Sequence, residues 1–411
     1  MNQSMKRKMK IVALVYVVYG LVVWFYLFHL APVGIPTAYI GTAADPVTFM
    51  STSAIATSVV FARTRHLIFF LSTPFEWLVI GYFICSGISD HIEDAVKSRL
   101  RSRWLQVSVY YFVFATFTFL AMLPFRFISY QLARFYGTST MTLIHWVRNR
   151  GIDFLVDFGL VMMMIHIVLL IIKKFPRRWW FVTWLAFIPF AFFFMLIQPI
   201  FIDPLYHEFQ PLENVALEAR ILSMAREAGV STSRVFVVEM SDKTNTINGY
   251  VTGVGPTARI VLWDTTLEQL SDDAVMFLMA HEIAHYVYRD IYRGIVVAIV
   301  FAFGGLFIVY KVIDKVDKAD RESLKRIPIA LLTVWMLLFA VSPVTNLISR
   351  RIEVRADVFA LEMTNDVKGG IDLFETLART SLNEVNPPRL VRIFRSTHPS
   401  LFERIQVLIT E

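Results

Sequence analysis

Residues 271–288 read SDDAVMFLMAHEIAHYVY, and inside them His281 and His285 stand four positions apart with Glu282 beside the first. At 3.6 residues per turn both imidazoles leave one face of a helix and can grip a single ion, while the adjacent carboxylate reaches the open coordination position. Zinc suits this set: neutral imidazole and carboxylate are its usual ligands, and a catalytic zinc keeps one position for water. Ser271, followed by Asp272 and Asp273, supplies an N-cap and favourable charge for the start of that helix. The motif is thus entered from a polar side. Chance competes: composition alone gives the spacing in on the order of one chain in a hundred.

A third ligand is needed. The metzincin pattern requires Gly at 288 and His at 291, and Tyr288 and Ile291 exclude that class. Farther along, Ser349-Arg350-Arg351-Ile352-Glu353-Val354-Arg355-Ala356-Asp357 offers Glu353, with Asp357 four residues on and on the same helical face. The competing explanation is a solvated face whose two acids pair with the neighbouring arginines.

The setting is a membrane protein. The 411 residues are 56% hydrophobic and 15% aromatic, with a mean hydropathy of +0.56, beyond ordinary soluble chains. Crossing a hydrocarbon core takes about 20 helical residues, and apolar runs of that kind occupy 11–30, 67–88, 104–123, 152–172, 181–201, 295–312 and 327–347. Cys85, the one thiol, falls in the second run, so no intrachain disulfide forms. The opening Lys6, Arg7, Lys8 and Lys10 resemble a signal-peptide front, but the apolar run is long and lacks a small-residue cleavage site, so it reads as a retained span.

The net charge of +7 does not indicate nucleic acid, because basic residues cluster at the ends of apolar runs rather than along a polar face. They occur before span one, at 97–103, at 173–178 and at 311–326, all on one side. The opposite short loops carry chiefly Arg63, Arg65, Arg134, Arg148 and Arg150. The positive-inside rule then sets the N-terminus in the cytoplasm and the polar segment after 202 outside it, which for a bacterial chain means the outer side of the plasma membrane.

Four regions follow: a membrane region of five spans (1–202), a soluble segment bearing the histidine helix (203–290), which is expected to run nearly straight into the sixth span, two further spans (291–348) and a charged helical tail (349–411). In the soluble segment, Leu217 to Ala228 has helical spacing, Val235 to Met240 and Arg259 to Trp263 read as strands, and the turn-rich Asn245 to Gly255 leads into another strand. Residues 32–66 read as a long outer loop, with a re-entrant segment as the alternative.

With these residues in place, H-E-I-A-H, a span-loop-span insertion and then R-R-I-E-V-R-A-D resemble the integral-membrane zinc metallopeptidases typified by the type 1 CAAX prenyl protease. Further blocks resemble that family in its order: Asp203-Pro204-Leu205 with Phe209-x-Pro211-Leu212-Glu213, Asn248-Gly249-Tyr250-Val251-Thr252-Gly253, Arg259 to Thr265, and Thr397-His398-Pro399-Ser400-x-x-Glu403-Arg404-Ile405. The resemblance runs from about Asp203 to the C-terminus, the first half matching in pattern.

The resemblance implies a mainly α, polytopic membrane protein of about seven spans around a chamber, with a small α+β gluzincin-like domain. It implies one zinc ion on His281, His285 and Glu353, Asp357 orienting a histidine, and Asn248 and His398 stabilising the oxyanion. Read alone, Asn248 is also a turn former before Gly249 and His398 a helix-start residue before Pro399. Glu282 is the expected general base of a zinc metalloendopeptidase. Candidate chamber groups are Glu76, Arg126, Asp153, Asp157 and His166, the last also readable as a packed core histidine.

The expected partners are the bilayer and protein or peptide substrates, membrane-anchored or lipidated ones included, and not nucleic acid. Because the loop charges point the catalytic side outward, membrane-associated or extracytoplasmic substrates are expected. Processing of prenylated C-termini at the cytosolic face is the alternative. A transporter leaves the polar histidine helix unexplained, an intramembrane site-2-type protease would hold the motif within a span, and an inactive scaffold conflicts with the presence of every ligand and the base.

Overall fold

The computed structural model describes residues 3–197, 208–230, 232, 234–253, 258–316 and 323–410. Asp203 to Leu205 and the end of the fifth expected span lie outside these. Among them, six helices are long and apolar enough to cross a membrane by length and composition. These are α1 (Gln3–Phe25) with the π-helical turn Tyr26–Leu30, α2 (Thr52–Cys85), α4 (Arg103–Phe135), α5 (Leu143–Lys174), α10 (Asp290–Val316) and α11 (Arg326–Thr364). The fifth expected span corresponds to α6 (Trp179–Ile197), which docks on α10 through Trp184 Nε1 donating to the Ile299 carbonyl at 2.9 Å. Exposed Leu14, Leu155, Val300 and Leu338 show the outward apolar faces of these helices, as a lipid solvent demands.

Two expectations are corrected. Residues 32–66 are not one loop: 52–66 form the first turns of α2, capped by Ser51 accepting from the Ala54 N–H. The part before them folds as short turns, and Ala44 and Met50 enter the core of the soluble domain because apolar residues there find a closed surface to bury against. Nor does the histidine helix run straight into the sixth span. It ends at Val287, Arg289 takes a left-handed φ of 55°, and a new helix starts at Asp290.

Two of the polar groups within the spans have clear partners. Asp153 pairs with Arg150 at 2.7 Å. His166 stacks on Trp104 and meets Ser108 Oγ at 3.0 Å, the packing of a core histidine.

The soluble part joins 208–288 to the end of α11 and the C-terminal helices α12 (Val367–Ser381), α13 (Arg389–Phe394) and α14 (Leu401–Thr410). Strands β1 (Phe209–Pro211), β2 (Val235–Val238), β3 (Gly249–Thr252) and β4 (Arg259–Trp263) form a sheet in the order β1-β2-β4-β3. Only β2 and β4 are parallel, so β3 is an edge strand, antiparallel to β4. Helix α7 (Val215–Glu227) starts on an Asn214 cap, α8 (Asp264–Gln269) leaves β4 directly, and α9 (Asp272–Val287) takes its cap from Ser271. Helix α9 is the centre of the domain: Phe277, Met279, Ala280, Ile283 and Ala284 are fully buried between sheet, α11 and α12. Burial of a side chain such as Phe277 or Ile283 contributes roughly 1.5–3 kcal/mol each, which fixes the helix that carries both histidines.

The two ends of the bundle differ. Helix α3 (Ile88–Arg99) meets the 323–325 turn through Glu93 with Ser323 and Asp90 with Lys325. At the other end, the α4–α5 turn docks on the soluble domain, with Thr140 N–H and Ser139 Oγ donating to the Lys243 carbonyl. The clusters at 97–103 and 325–326 therefore lie opposite the histidine helix.

Candidate metal centre

Helices α9 and α11 pack side by side and bring three groups together. His281 Nε2 and His285 Nε2 are 3.2 Å apart, and the Glu353 oxygens lie 3.3 Å from the first and 3.6 Å from the second. All three ligand atoms fall within 4.8 Å of one another. Tetrahedral ligands at zinc's usual 2.0–2.1 Å would be about 3.3 Å apart, so the set has the right size. Glu353 Oε2 is buried without a hydrogen-bond partner, and such an atom calls for a cation. Burial alone would lower the His281 pKa, but the neighbouring carboxylates of Asp357 and Glu353 outweigh it and carry it up to about 9.

Each histidine has a carboxylate behind it. Asp357 Oδ1 lies 2.9 Å from His281 Nδ1, so Glu353 and Asp357, one turn apart on α11, address opposite nitrogens of one ring. Asp290 Oδ2 does the same for His285, 3.1 Å from Nδ1. These contacts fix each tautomer so that Nε2 is left to bind. Glu282, next to His281, is half-buried, and loss of water raises its carboxyl pKa above the ordinary value.

Sequence reasoning missed Asp290, Arg350 and Arg404. Arg404 Nε donates to Asp357 Oδ2 at 2.9 Å, and its Nη2 reaches Asp357 Oδ1. Burial opposes the charge on Arg404, but Asp357 more than compensates. A capping box sets this residue in place: Ser400 N–H donates to Glu403 Oε2 at 2.9 Å as α14 begins, and Arg404 follows on its buried side. Ser400 three residues before Glu403 is the sequence signal that could have pointed to this cap. Arg350, one turn before Glu353, donates to the carbonyls of Arg392 at 2.6 Å and Ser396 at 2.8 Å. It thereby ties the chain leading to His398 against α11.

His398 reaches the centre, with Nε2 3.3 Å from Glu353 Oε2, while its side chain stays 59% exposed. Asn248 is exposed where edge strand β3 begins. Its N–H donates to Thr266 Oγ1 at 2.8 Å and its Oδ1 accepts from the Gly249 N–H at 2.9 Å. Among the described residues no hydrogen bond joins Asn248 to His281, His285 or Glu353.

The comparisons agree with this architecture. Peptidase family M48 matches residues 211–411, and the family "CAAX prenyl protease N-terminal, five membrane helices" matches 47–208. The uncharacterized metalloprotease YhfN of Bacillus subtilis is 37% identical over 410 residues, covering 98% of this chain and 96% of that protein. CAAX prenyl protease 1 of Saccharomyces cerevisiae is 26% identical over 320 residues, 70% of this chain and 68% of that protein. The crystal structure of S. mikatae Ste24p superimposes with a TM-score of 0.81 over 96% of both chains at 20% identity, which shows a shared fold. The chain therefore belongs to Peptidase family M48, as a multi-pass membrane metalloprotease of the CAAX prenyl protease kind, in a family that depends on zinc.

Proposed function

We propose that the protein is an endopeptidase with one catalytic zinc on His281, His285 and Glu353, cutting membrane-associated or extracytoplasmic proteins at the outer side of a bacterial plasma membrane. The observation that carries this reading is the mutual approach of two Nε2 atoms and a carboxylate within 3.2–3.6 Å. A bound zinc would lower the pKa of its water toward about 7 and polarise the scissile carbonyl. Glu282 takes the proton from the attacking water and delivers it to the leaving amine; its raised pKa suits a group that must both accept and return a proton. Asp357 and Asp290 hold the two imidazoles in place. His398, exposed beside Glu353, and Asn248, at the head of β3, are placed in the role of oxyanion donors. Edge strand β3 is where an extended peptide adds to the sheet, a mode of binding that demands little of its sequence.

The outward orientation rests on basic clusters lying opposite the histidine helix. The relatives called CAAX prenyl protease 1 favour a second reading, processing of prenylated C-termini at the cytosolic face. A reporter fused after Glu411 separates the two, and activity only in the cytoplasm rejects the first. For the chemistry, purified wild type and Glu282→Gln are compared for zinc content and for hydrolysis of unfolded and lipidated peptides. One zinc per chain in both, with turnover lost only in the variant, is the expected result. Turnover that survives the substitution removes Glu282 from the mechanism.

A further inference from the structure

Apart from the metal centre, the seam between α2, α4 and the soluble domain forms an open cavity of about 500 Å³. That size falls within the usual range for a ligand pocket. Its lining includes Arg65, Arg395 and Lys243 with several serine and threonine hydroxyls, and contains no Asp or Glu. Arg65 and Arg395 differ from three other half-buried or buried arginines near the site. Arg63 meets Glu384, Arg355 meets Asp290 and Arg404 meets Asp357. By contrast, Arg65 lies over the Phe61 ring, and Arg395 lies over Phe69 with Nη1 2.6 Å from Nδ1 of His66, a neutral acceptor. Among the described residues neither guanidinium has a carboxylate within 4.0 Å.

Holding two such cations near one another is unfavourable. Burial and the charge of Arg65 bring the Arg395 pKa down to about 10. A pocket that keeps uncompensated arginines facing an open volume is suited to a ligand that supplies the negative charge.

The cavity adjoins the chemistry. Thr246 on its wall precedes Asn248 by two residues and leads into β3, and Arg395 precedes His398 by three. Three residues of chain span at most about 10 Å, so one end of a peptide lying along β3 is within reach of the cavity wall.

We propose that Arg65 and Arg395 form a recognition subsite for a carboxylate of the peptide substrate, a feature that rests on the endopeptidase reading and gives it a preference for acidic groups. The carboxylate is either a chain terminus or an Asp or Glu side chain. A phospholipid headgroup has similar charge, but the wall shared with the approach to β3 favours the peptide.

The test uses the zinc-loaded full-length protein and fluorogenic peptides in two matched pairs, C-terminal acid against amide and Glu against Gln near the cut. Wild type is expected to favour the acid member of at least one pair by about tenfold in kcat/KM, mainly through KM. The pair that responds identifies the source of the carboxylate. Arg65→Gln and Arg395→Gln should bring that ratio close to one, and Arg395→Lys should restore part of it. Hydrolysis of the amide and Gln peptides reports on the endopeptidase reading separately. If no peptide is cut, anisotropy of the same labelled peptides on the Glu282→Gln protein reads the acid preference directly. Equal handling of both pairs by wild type overturns the proposal. So does a ratio unmoved by the Gln substitutions, or a response only to replacing phosphatidylcholine vesicles with phosphatidylglycerol.

Discussion

Asp290 Oδ2 stands 3.1 Å from His285 Nδ1, brought there because the chain turns through a left-handed Arg289 instead of continuing as one helix. In an unbroken helix a residue five positions on would face away from His285. The break also lets Asp290 receive Arg355 from α11, so one carboxylate links the histidine, the sixth membrane helix and the helix of Glu353.

Asp290→Asn should therefore weaken zinc binding by about 10–100-fold, the usual effect of losing a carboxylate behind a ligating histidine. Competition with a chelator of known affinity measures it. An unchanged dissociation constant would mean that packing alone orients His285.

Asp264 is one of the carboxylates that make the soluble domain sensitive to acid. Burial would raise its pKa, but the Ser241 hydroxyl and the N–H groups of Met240, Thr265 and Ser241 outweigh this and hold it below the ordinary 3.8. A carboxyl whose folded pKa lies below its unfolded value contributes its stabilisation fully above the unfolded pKa, and loses it as pH falls through the folded one. Asp264→Asn should lower Tm at pH 7 and flatten its dependence on pH below about 4. A parallel shift of the whole curve would assign the acid limb to other carboxylates.

Gly370 is a packing position on α12. A Cβ there would meet Leu408 Cδ1 at 2.6 Å and Phe277 Cε2 at 2.8 Å. Overpacking costs about 1–3 kcal/mol, against a gain of about 1 kcal/mol in helix propensity, so the clash wins. Gly370→Ala should lower Tm and, by displacing Phe277 on the histidine helix, reduce kcat/KM. A raised Tm would show that Leu408 and Phe277 yield freely.

Arg63 and Glu384 form a buried pair at 2.7 Å, and Arg63 also donates to the carbonyls of Ala31 and Pro32 beyond the first membrane helix. Arg63→Met leaves a buried carboxylate uncompensated, a loss of about 3–5 kcal/mol. Adding Glu384→Gln should recover part of it. Thermal unfolding in detergent reads both, and no recovery would mean that the carbonyl contacts dominate.

Much of this molecule is legible locally. The apolar runs, the helical spacing of α7, the cap of α9, the strands at 235 and 259 and the paired histidines follow from short-range spacing and from the length a bilayer requires. β1 escaped notice because three residues carry no period, and 32–66 misled because polar small residues occur equally in loops and at the first turns of a capped helix.

By itself, then, the sequence determined a polytopic helical protein with a zinc-spaced helix on its polar side, since those features depend on residues a few positions apart, while the glutamate offered as the third ligand rested on the family resemblance. Tertiary structure alone decided that Asp290 stands behind His285, that Arg404 braces Asp357 across 47 residues and that Arg65 and Arg395 meet at one cavity. Such pairings join groups distant in the chain and leave no periodic trace, because they arise from the packing of whole helices rather than from the conformation of any single segment.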